Sequence, residues 1–235
     1  AADDANGATT LTITVADVND QTPTYTATDT TPSVAEGATA AETNIAITDT
    51  DTGDANVCTL AGADNALFTC TLTGQTAYSL AFTTAPDYET PSSAASSNAY
   101  TVTLSIGDGV NTGAVISYTV TVTDTNDQTP TYAATDTTPS VAEGTTATTE
   151  TNIAITDTDT GDANVCTLAG ADNALFTCTL TGQTAYSLAF TTAPDYETPS
   201  SAASSNAYTV TLTINDGTND GSTISYTVTV TDTND

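Results

Sequence analysis

Asp124-Thr125-Asn126-Asp127-Gln128-Thr129-Pro130 lies near the middle of a chain of 235 residues. It recurs as Asp17-Val18-Asn19-Asp20-Gln21-Thr22-Pro23 and opens once more as Asp232-Thr233-Asn234-Asp235. Each copy follows an alternating run of β-branched residues, Thr119-Val120-Thr121-Val122-Thr123 in the central case. A strand therefore ends there, oxygen-bearing side chains crowd into adjacent positions, and a proline keeps the sheet from continuing. Carboxylates this close repel one another unless a cation sits among them, and all-oxygen ligation suits a hard ion such as Ca²⁺. The motif reads as a cation-holding joint between repeated β-domains.

Outward from the joints the chain repeats itself. Residues 42–104 recur one for one as 150–212, and the joints are about 107 residues apart, the size of an ordinary domain. The expected layout is a partial unit (1–20), a full repeat (21–127) and a second full repeat (128–235). Within the first repeat seven short β segments are expected. They are 25–34 (interrupted by Asp29 and Pro32), 44–47, 57–60, 67–72, 78–82, 100–106 and 116–122. Period-2 alternation dominates and no segment has a helical period. An all-β fold follows: tandem seven-stranded Greek-key sandwiches of antiparallel sheets, joined by calcium-binding linkers.

The partial unit carries Thr10-Leu11-Thr12-Ile13-Thr14-Val15, which matches a seventh strand with Leu11, Ile13 and Val15 on one face. A lone strand with an apolar face is not stable in water, and both full repeats already own a seventh strand. Two readings stand. Either the sequence is a window from a longer array, or copies join head to tail and this strand completes a neighbour's sheet.

Composition narrows the partners. The chain has no Lys, Arg, His, Met or Trp, and its 29 acidic residues give a formal charge of −29. Such charge is common in disordered chains, but 38% hydrophobic residues and sustained alternation point to a folded one. Self-repulsion of this size calls for bound counter-ions. Nucleic acid and anionic membrane surfaces are disfavoured as partners, since no cationic side chain can meet a phosphate. No apolar run is long enough to cross a membrane as a helix.

Four cysteines occur in two identical contexts, Cys58 with Cys70 and Cys166 with Cys178. The spacing fits no metal finger. The intervening residues read as strand, turn, strand, so that Leu60 faces Phe68 and Cys58 faces Cys70 across a hairpin. A disulfide in each repeat is our reading, against two buried free thiols, and it points to an oxidising, extracellular compartment.

Taken together, Val34-Ala35-Glu36-Gly37, Asp49-Thr50-Asp51, Asp87-Tyr88-Glu89, Asp108-Gly109 and Asp124-Thr125-Asn126-Asp127 resemble the extracellular cadherin repeat. The closest likeness is to cadherin-like tandem repeats of large secreted microbial surface proteins, and it covers both full repeats. The resemblance implies a ligand set at each joint. For the central joint it names Glu36, Asp87, Glu89, Asp124, Thr125 (through its carbonyl), Asn126 and Asp127 upstream. Downstream it names Asp157, Asp159, Asn164 and Asp216, with Asp162 competing for the role of Asn164. The upstream joint would use Asp17, Asn19, Asp20, Asp49, Asp51 and Asp108. The downstream one would use Glu143, Asp195, Glu197, Asp232, Asn234 and Asp235. A Ca²⁺ ion needs six to eight oxygens at about 2.3–2.6 Å, more than any single turn here supplies. Gln128 and Gln21 depart from the family's usual second linker Asn, and Tyr88 stands where Arg is common.

No catalytic constellation is visible: no His or Lys base, no activated cysteine, no phosphate-cradling glycine loop. An enzyme is not expected. The leading expectation is a structural module, tandem sandwiches stiffened by calcium in an adhesin stalk or extracellular filament, with partners that are further repeats or copies of the chain arranged head to tail. The alternative is a binding module in which Thr-rich strand faces such as Thr119, Thr121 and Thr123 meet a surface glycan or ice.

Overall fold

Along each long strand the alternation of apolar and polar residues becomes an alternation of buried and exposed ones. In the segment Ala99–Gly107, Tyr100, Val102, Leu104 and Ile106 are buried while their neighbours face outward. The computed structural model describes residues 11–146 and 148–234, and the chain divides into two compact units between Thr123 and Asp124.

In the first unit the strands are β1 (Thr24–Tyr25), β2 (Ser33–Ala35), β3 (Ala40–Thr48), β4 (Val57–Ala61), β5 (Phe68–Thr73), β6 (Ala77–Phe82), β7 (Ala99–Gly107) and β8 (Ile116–Thr123). They form two four-stranded sheets, in the orders β1-β3-β6-β5 and β2-β8-β7-β4. The second unit repeats this with β9 (Thr131–Tyr132), β10 (Ser140–Ala142), β11 (Thr148–Thr156), β12 (Val165–Ala169), β13 (Phe176–Thr181), β14 (Ala185–Phe190), β15 (Ala207–Asn215) and β16 (Ile224–Thr231). Each unit is an all-β sandwich with Greek-key connections.

Two details differ from expectation. The first predicted segment is divided: Asp29 and Pro32 break it, so β1 joins one sheet and β2 the other. Seven segments thus become eight strands. The sheets are also not purely antiparallel, because β2 pairs parallel with β8, and β10 with β16. Parallel pairing follows from chain path. After crossing between sheets, β2 runs in the same direction as the last strand and closes the edge beside it.

The core of each unit is a stack of aromatic and branched residues. Tyr78, Tyr100, Tyr118, Leu80, Leu104 and Ile106 are fully buried in the first unit. The Tyr78 and Tyr118 hydroxyls meet at 2.8 Å, joining β6 of one sheet to β8 of the other through the buried centre. Tyr186 and Tyr226 do the same in the second unit. Tyr25 pins β1 across the sandwich end: its hydroxyl accepts from the Ile106 N–H at 2.7 Å and donates to the Ala114 carbonyl. That seat needs Gly113, since a Cβ there would fall 2.5 Å from both the Pro23 carbonyl and the Tyr25 ring.

Both expected disulfides are present, Cys58–Cys70 and Cys166–Cys178, but the expected hairpin is not. β4 pairs with β7 and β5 with β6; a 3₁₀ turn at Asn65–Leu67 carries the chain from one sheet to the other. Each disulfide therefore stitches the edge strands of two sheets. In the partial unit, residues 11–15 form no strand, and Leu11, Ile13 and Val15 are exposed. The place such a strand would take is held by β8 and β16 in their own sandwiches. Thr10 lies outside the described residues.

Candidate metal centres

Strands β3 and β7 of the first unit both end at one pole of the sandwich, and each delivers carboxylates there. One oxygen from each of Asp49, Asp51, Asp54 and Asp108 can be chosen so that all lie within 4.8 Å of one another. In the second unit Asp157, Asp159 and Asp216 form the same cluster. Asp108 is fixed by the N–H groups of Val110 (2.8 Å) and Asn111 (2.6 Å) on one oxygen, and Asp216 likewise by Thr218 and Asn219.

The linker preceding each unit folds onto this pole. Asp17 accepts from the Thr52 hydroxyl at 2.7 Å, Asn19 donates to the Asp108 carbonyl at 3.2 Å, and the Gln21 N–H donates to Asp51 at 2.7 Å. In the second unit Asp124 accepts from the backbone N–H and hydroxyl of Thr160, Asn126 donates to the Asp216 carbonyl, and the Gln128 N–H to Asp159. The glutamine that departs from the family pattern has a job here: its amide also holds the carboxylate before it, Gln21 on Asp20 and Gln128 on Asp127.

At the opposite pole β8 and β16 end. Glu143 is buried and accepts from the N–H groups of Tyr196 at 2.7 Å and Thr233 at 2.8 Å. Oxygens of Glu143, Glu197 and Asp232 lie within 4.8 Å of one another. Glu36 is buried in the same way and accepts from the Tyr88 N–H at 2.8 Å. Asp87 and Asp195 sit beside these clusters with one oxygen turned onto the N–H of Thr90 and Thr198. Asn234 is exposed, and Asp235 lies outside the described residues.

The first pole passes a specific test for a cation. Asp159 is 8% exposed, yet its Oδ1 has no hydrogen-bond partner; both oxygens of Asp157, one of Asp49 and one of Asp162 are buried and unpartnered too. An unpaired carboxylate oxygen shut away from water is costly, and this chain has no cationic side chain to relieve it. The electrostatics agree. Burial raises the carboxyl of Asp157 above its usual range, and the charge of Asp162 adds to the effect. Burial raises Asp159 as well, against the Gln128 N–H and with the charges of Asp124, Asp127 and Asp162. Asp49 is raised by burial and by Asp54, Asp108 and Asp51. At Asp108 and Asp216 burial is outweighed by donated N–H groups, and both are lowered. A cluster in which some carboxylates are fixed as anions and others strain to stay charged needs either protons or a cation.

Sequence reasoning missed Asp54, which joins the first cluster. Its signal was present, since Asp162 at the matching position had been weighed against Asn164. Asn164 itself turns its amide nitrogen to the Gln183 carbonyl at 3.0 Å, leaving a buried, unpartnered Oδ1. Asn56 does the same with Gln75.

No protein-family model and no curated protein sequence matches the chain. Its fold is nonetheless that of cadherin extracellular repeats, as solved structures show. A two-repeat fragment of human protocadherin-24 (EC1-2) superposes with a TM-score of 0.64 at 18% identity, over 90% of this chain and 98% of that one. The protocadherin gammaB7 EC3-6 cis-dimer structure gives 0.62 at 20% identity, over 92% of this chain, which spans 52% of that protein's chain. Mouse clustered PcdhgC3 EC1-3 gives 0.60 at 18% identity, over 93% and 70%. The chain is thus a tandem of cadherin-like sandwiches.

Proposed function

We propose that the chain is a pair of structural repeats from an extracellular filament or adhesin stalk, stiffened by Ca²⁺ bound where one repeat follows another. The observation that carries this reading is the pole cluster of buried, unpartnered carboxylate oxygens around Asp157 and Asp159 in a chain without a single cationic side chain. Asp49, Asp51, Asp54 and Asp108 hold the matching position in the first unit. One oxygen from each of Asp157, Asp159 and Asp216 falls short of the six to eight oxygens that Ca²⁺ takes. In this proposal the remainder comes from the linker (Asp124, the Thr125 carbonyl, Asn126, Asp127) and from the base of the preceding repeat (Glu36, Asp87, Glu89). The cation then fixes the angle between repeats.

The disulfides support an oxidising, extracellular setting, and no helix among the described residues is long and apolar enough to cross a membrane. Near-identical repeats suit a role in which each unit does the same mechanical work. The test is small-angle scattering with millimolar calcium and again after chelation, alongside calorimetric titration to count ions. A stiff two-domain rod that bends or swells on chelation is expected. Shape and stability indifferent to calcium would overturn the reading.

A further inference from the structure

Where glycine follows aspartate, the backbone can attack its own side chain with little hindrance, because glycine puts no Cβ beside its nitrogen. The sequence has three such steps, Asp108-Gly109, Asp216-Gly217 and Asp220-Gly221. What each glycine N–H does separates them. Gly221 donates to the Ile214 carbonyl at 2.9 Å. Gly217 donates to Asn215 Oδ1 at 2.7 Å, and the Asn215 amide is itself anchored to the Asn219 carbonyl and, at 2.7 Å, to Asp220. In the first unit Gly107 stands where the second has Asn215, and it has no side chain to offer. The Gly109 N–H has no hydrogen-bond partner among the described residues, and Gly109 is exposed to water.

The carboxyl group is placed alike in both units. Asp108 Oδ1 accepts from the N–H groups of Val110 and Asn111. The ring closed by the Val110 contact includes the Gly109 nitrogen, so the carboxyl carbon is kept on that nitrogen's side of the chain. Asp216 is held in the same way by Thr218 and Asn219. Gly109 and Gly217 also share one backbone conformation, with φ of +95° and +99°. The repeats therefore differ at this turn in the freedom of the nitrogen and not in the position of the carboxylate.

We propose that Asp108 is a site of spontaneous isomerisation to isoaspartate, and that Asn215 guards the matching step of the second repeat. The Gly109 nitrogen bonds to Cγ of Asp108. Its hydrogen, one carboxyl oxygen and a proton from the medium leave as water, closing a five-membered succinimide. Water then adds to the main-chain carbonyl carbon of Asp108 and breaks that carbon's bond to the nitrogen. The chain now runs through Cγ, the new carboxylate stands on Cα, and the borrowed proton returns to the medium. Nothing is oxidised or reduced. The extra backbone carbon takes the carboxylate away from its place beside Asp49, Asp51 and Asp54. It also removes the main-chain carbonyl that accepts from Asn19. The result is an age mark written into one repeat and withheld from its near copy. The proposal does not rest on cation binding.

The test incubates the full chain for weeks in neutral buffer with chelator, then digests it with pepsin and locates isoaspartate by electron-transfer fragmentation. Peptides from the two repeats are distinguishable, since Ser105, Gly107 and Val110 stand against Thr213, Asn215 and Thr218. Isoaspartate is expected to accumulate at Asp108 about two- to tenfold faster than at Asp216 or Asp220, the range set by the net worth of one hydrogen bond. In urea the three steps should react at like rates, because each is followed by glycine and none is folded. Asn215→Gly should raise the rate at Asp216 to that at Asp108, with a thermal melt to establish that the variant folds. Equal rates at Asp108 and Asp216 in the folded chain overturn the proposal, as does an Asp108 that stays unmodified. A difference that persists in urea also overturns it, by tracing the effect to sequence neighbours, and so does a folded Asn215→Gly chain in which Asp216 remains slow. The comparison of folded and urea-unfolded wild-type chain decides the matter even if that variant fails to fold.

Discussion

A buried hydroxyl pair and an unpaired carboxylate have opposite consequences at the scale of single residues. The Tyr78 and Tyr118 hydroxyls share a hydrogen bond in the buried core. Replacing Tyr78 alone by Phe strands the Tyr118 hydroxyl, at a cost of about 1–3 kcal/mol. The double variant Tyr78→Phe/Tyr118→Phe removes both polar groups and should cost less than the sum of the two single changes. Denaturant unfolding of the three variants measures this, and strict additivity would show that the hydroxyls do not interact. At Asp157 the sign reverses. Its two oxygens are buried without partners, so Asp157→Asn should raise the melting temperature of chelated protein. The same change should weaken calcium binding about tenfold or more, since a charged ligand is lost. A variant that melts lower without calcium would mean that the carboxylate is satisfied in solution in some other way.

Between elements, the disulfides are the covalent ties. Each closes a loop of a dozen residues and joins the free edges of two sheets. The pair Cys58→Ala/Cys70→Ala should cost about 3 kcal/mol in the loop-entropy model, read as a shift in the urea midpoint of the first unit. Gly113→Ala should also destabilise, by about 1–3 kcal/mol, by driving a methyl group into the Tyr25 seat. The strands themselves were legible in the sequence, because an alternating run such as Tyr100, Val102, Leu104 and Ile106 has one way to bury its apolar side. Which sheet a strand enters was not. Cys58 and Cys70 look like a hairpin because their spacing suits one, yet the Asn65–Leu67 turn sends β5 across the sandwich. The break at Asp29 and Pro32 was visible, but not that the two halves part company. The pole carboxylates were legible by resemblance; Asp54 was overlooked because its role appears only when the turn after β3 folds back toward Asp108.

For the whole molecule, alkaline pH is a clean probe. There is no His or Lys and the cysteines are bridged, so tyrosine is the side chain that titrates on that side. Burial raises the Tyr25, Tyr78, Tyr132 and Tyr186 hydroxyls above their usual value, and Tyr118 and Tyr226 further still, with their hydrogen-bonded tyrosine partners adding to burial. A folded state that holds protons more tightly than the unfolded chain keeps its full stability below the unfolded tyrosine value, about 10. It loses that stability as pH rises through and beyond it. Tyrosinate absorbance from these residues should therefore appear together with loss of the β circular dichroism signal. A gradual titration near pH 10 in folded protein would contradict the burial described for them.

The linker contacts bear on where one repeat can be cut from another. Asp124, Asn126 and Gln128 hydrogen-bond to Thr160, Asp216 and Asp159, all in the unit that follows them. A single repeat expressed alone should accordingly begin at Asp124. A boundary drawn at Thr129, on the far side of the motif, would leave the repeat's own pole uncapped, with Asp159 and the Asp216 loop stripped of the backbone and amide groups that order them. Recombinant fragments of such arrays would then report the weakness of the cut and not of the domain.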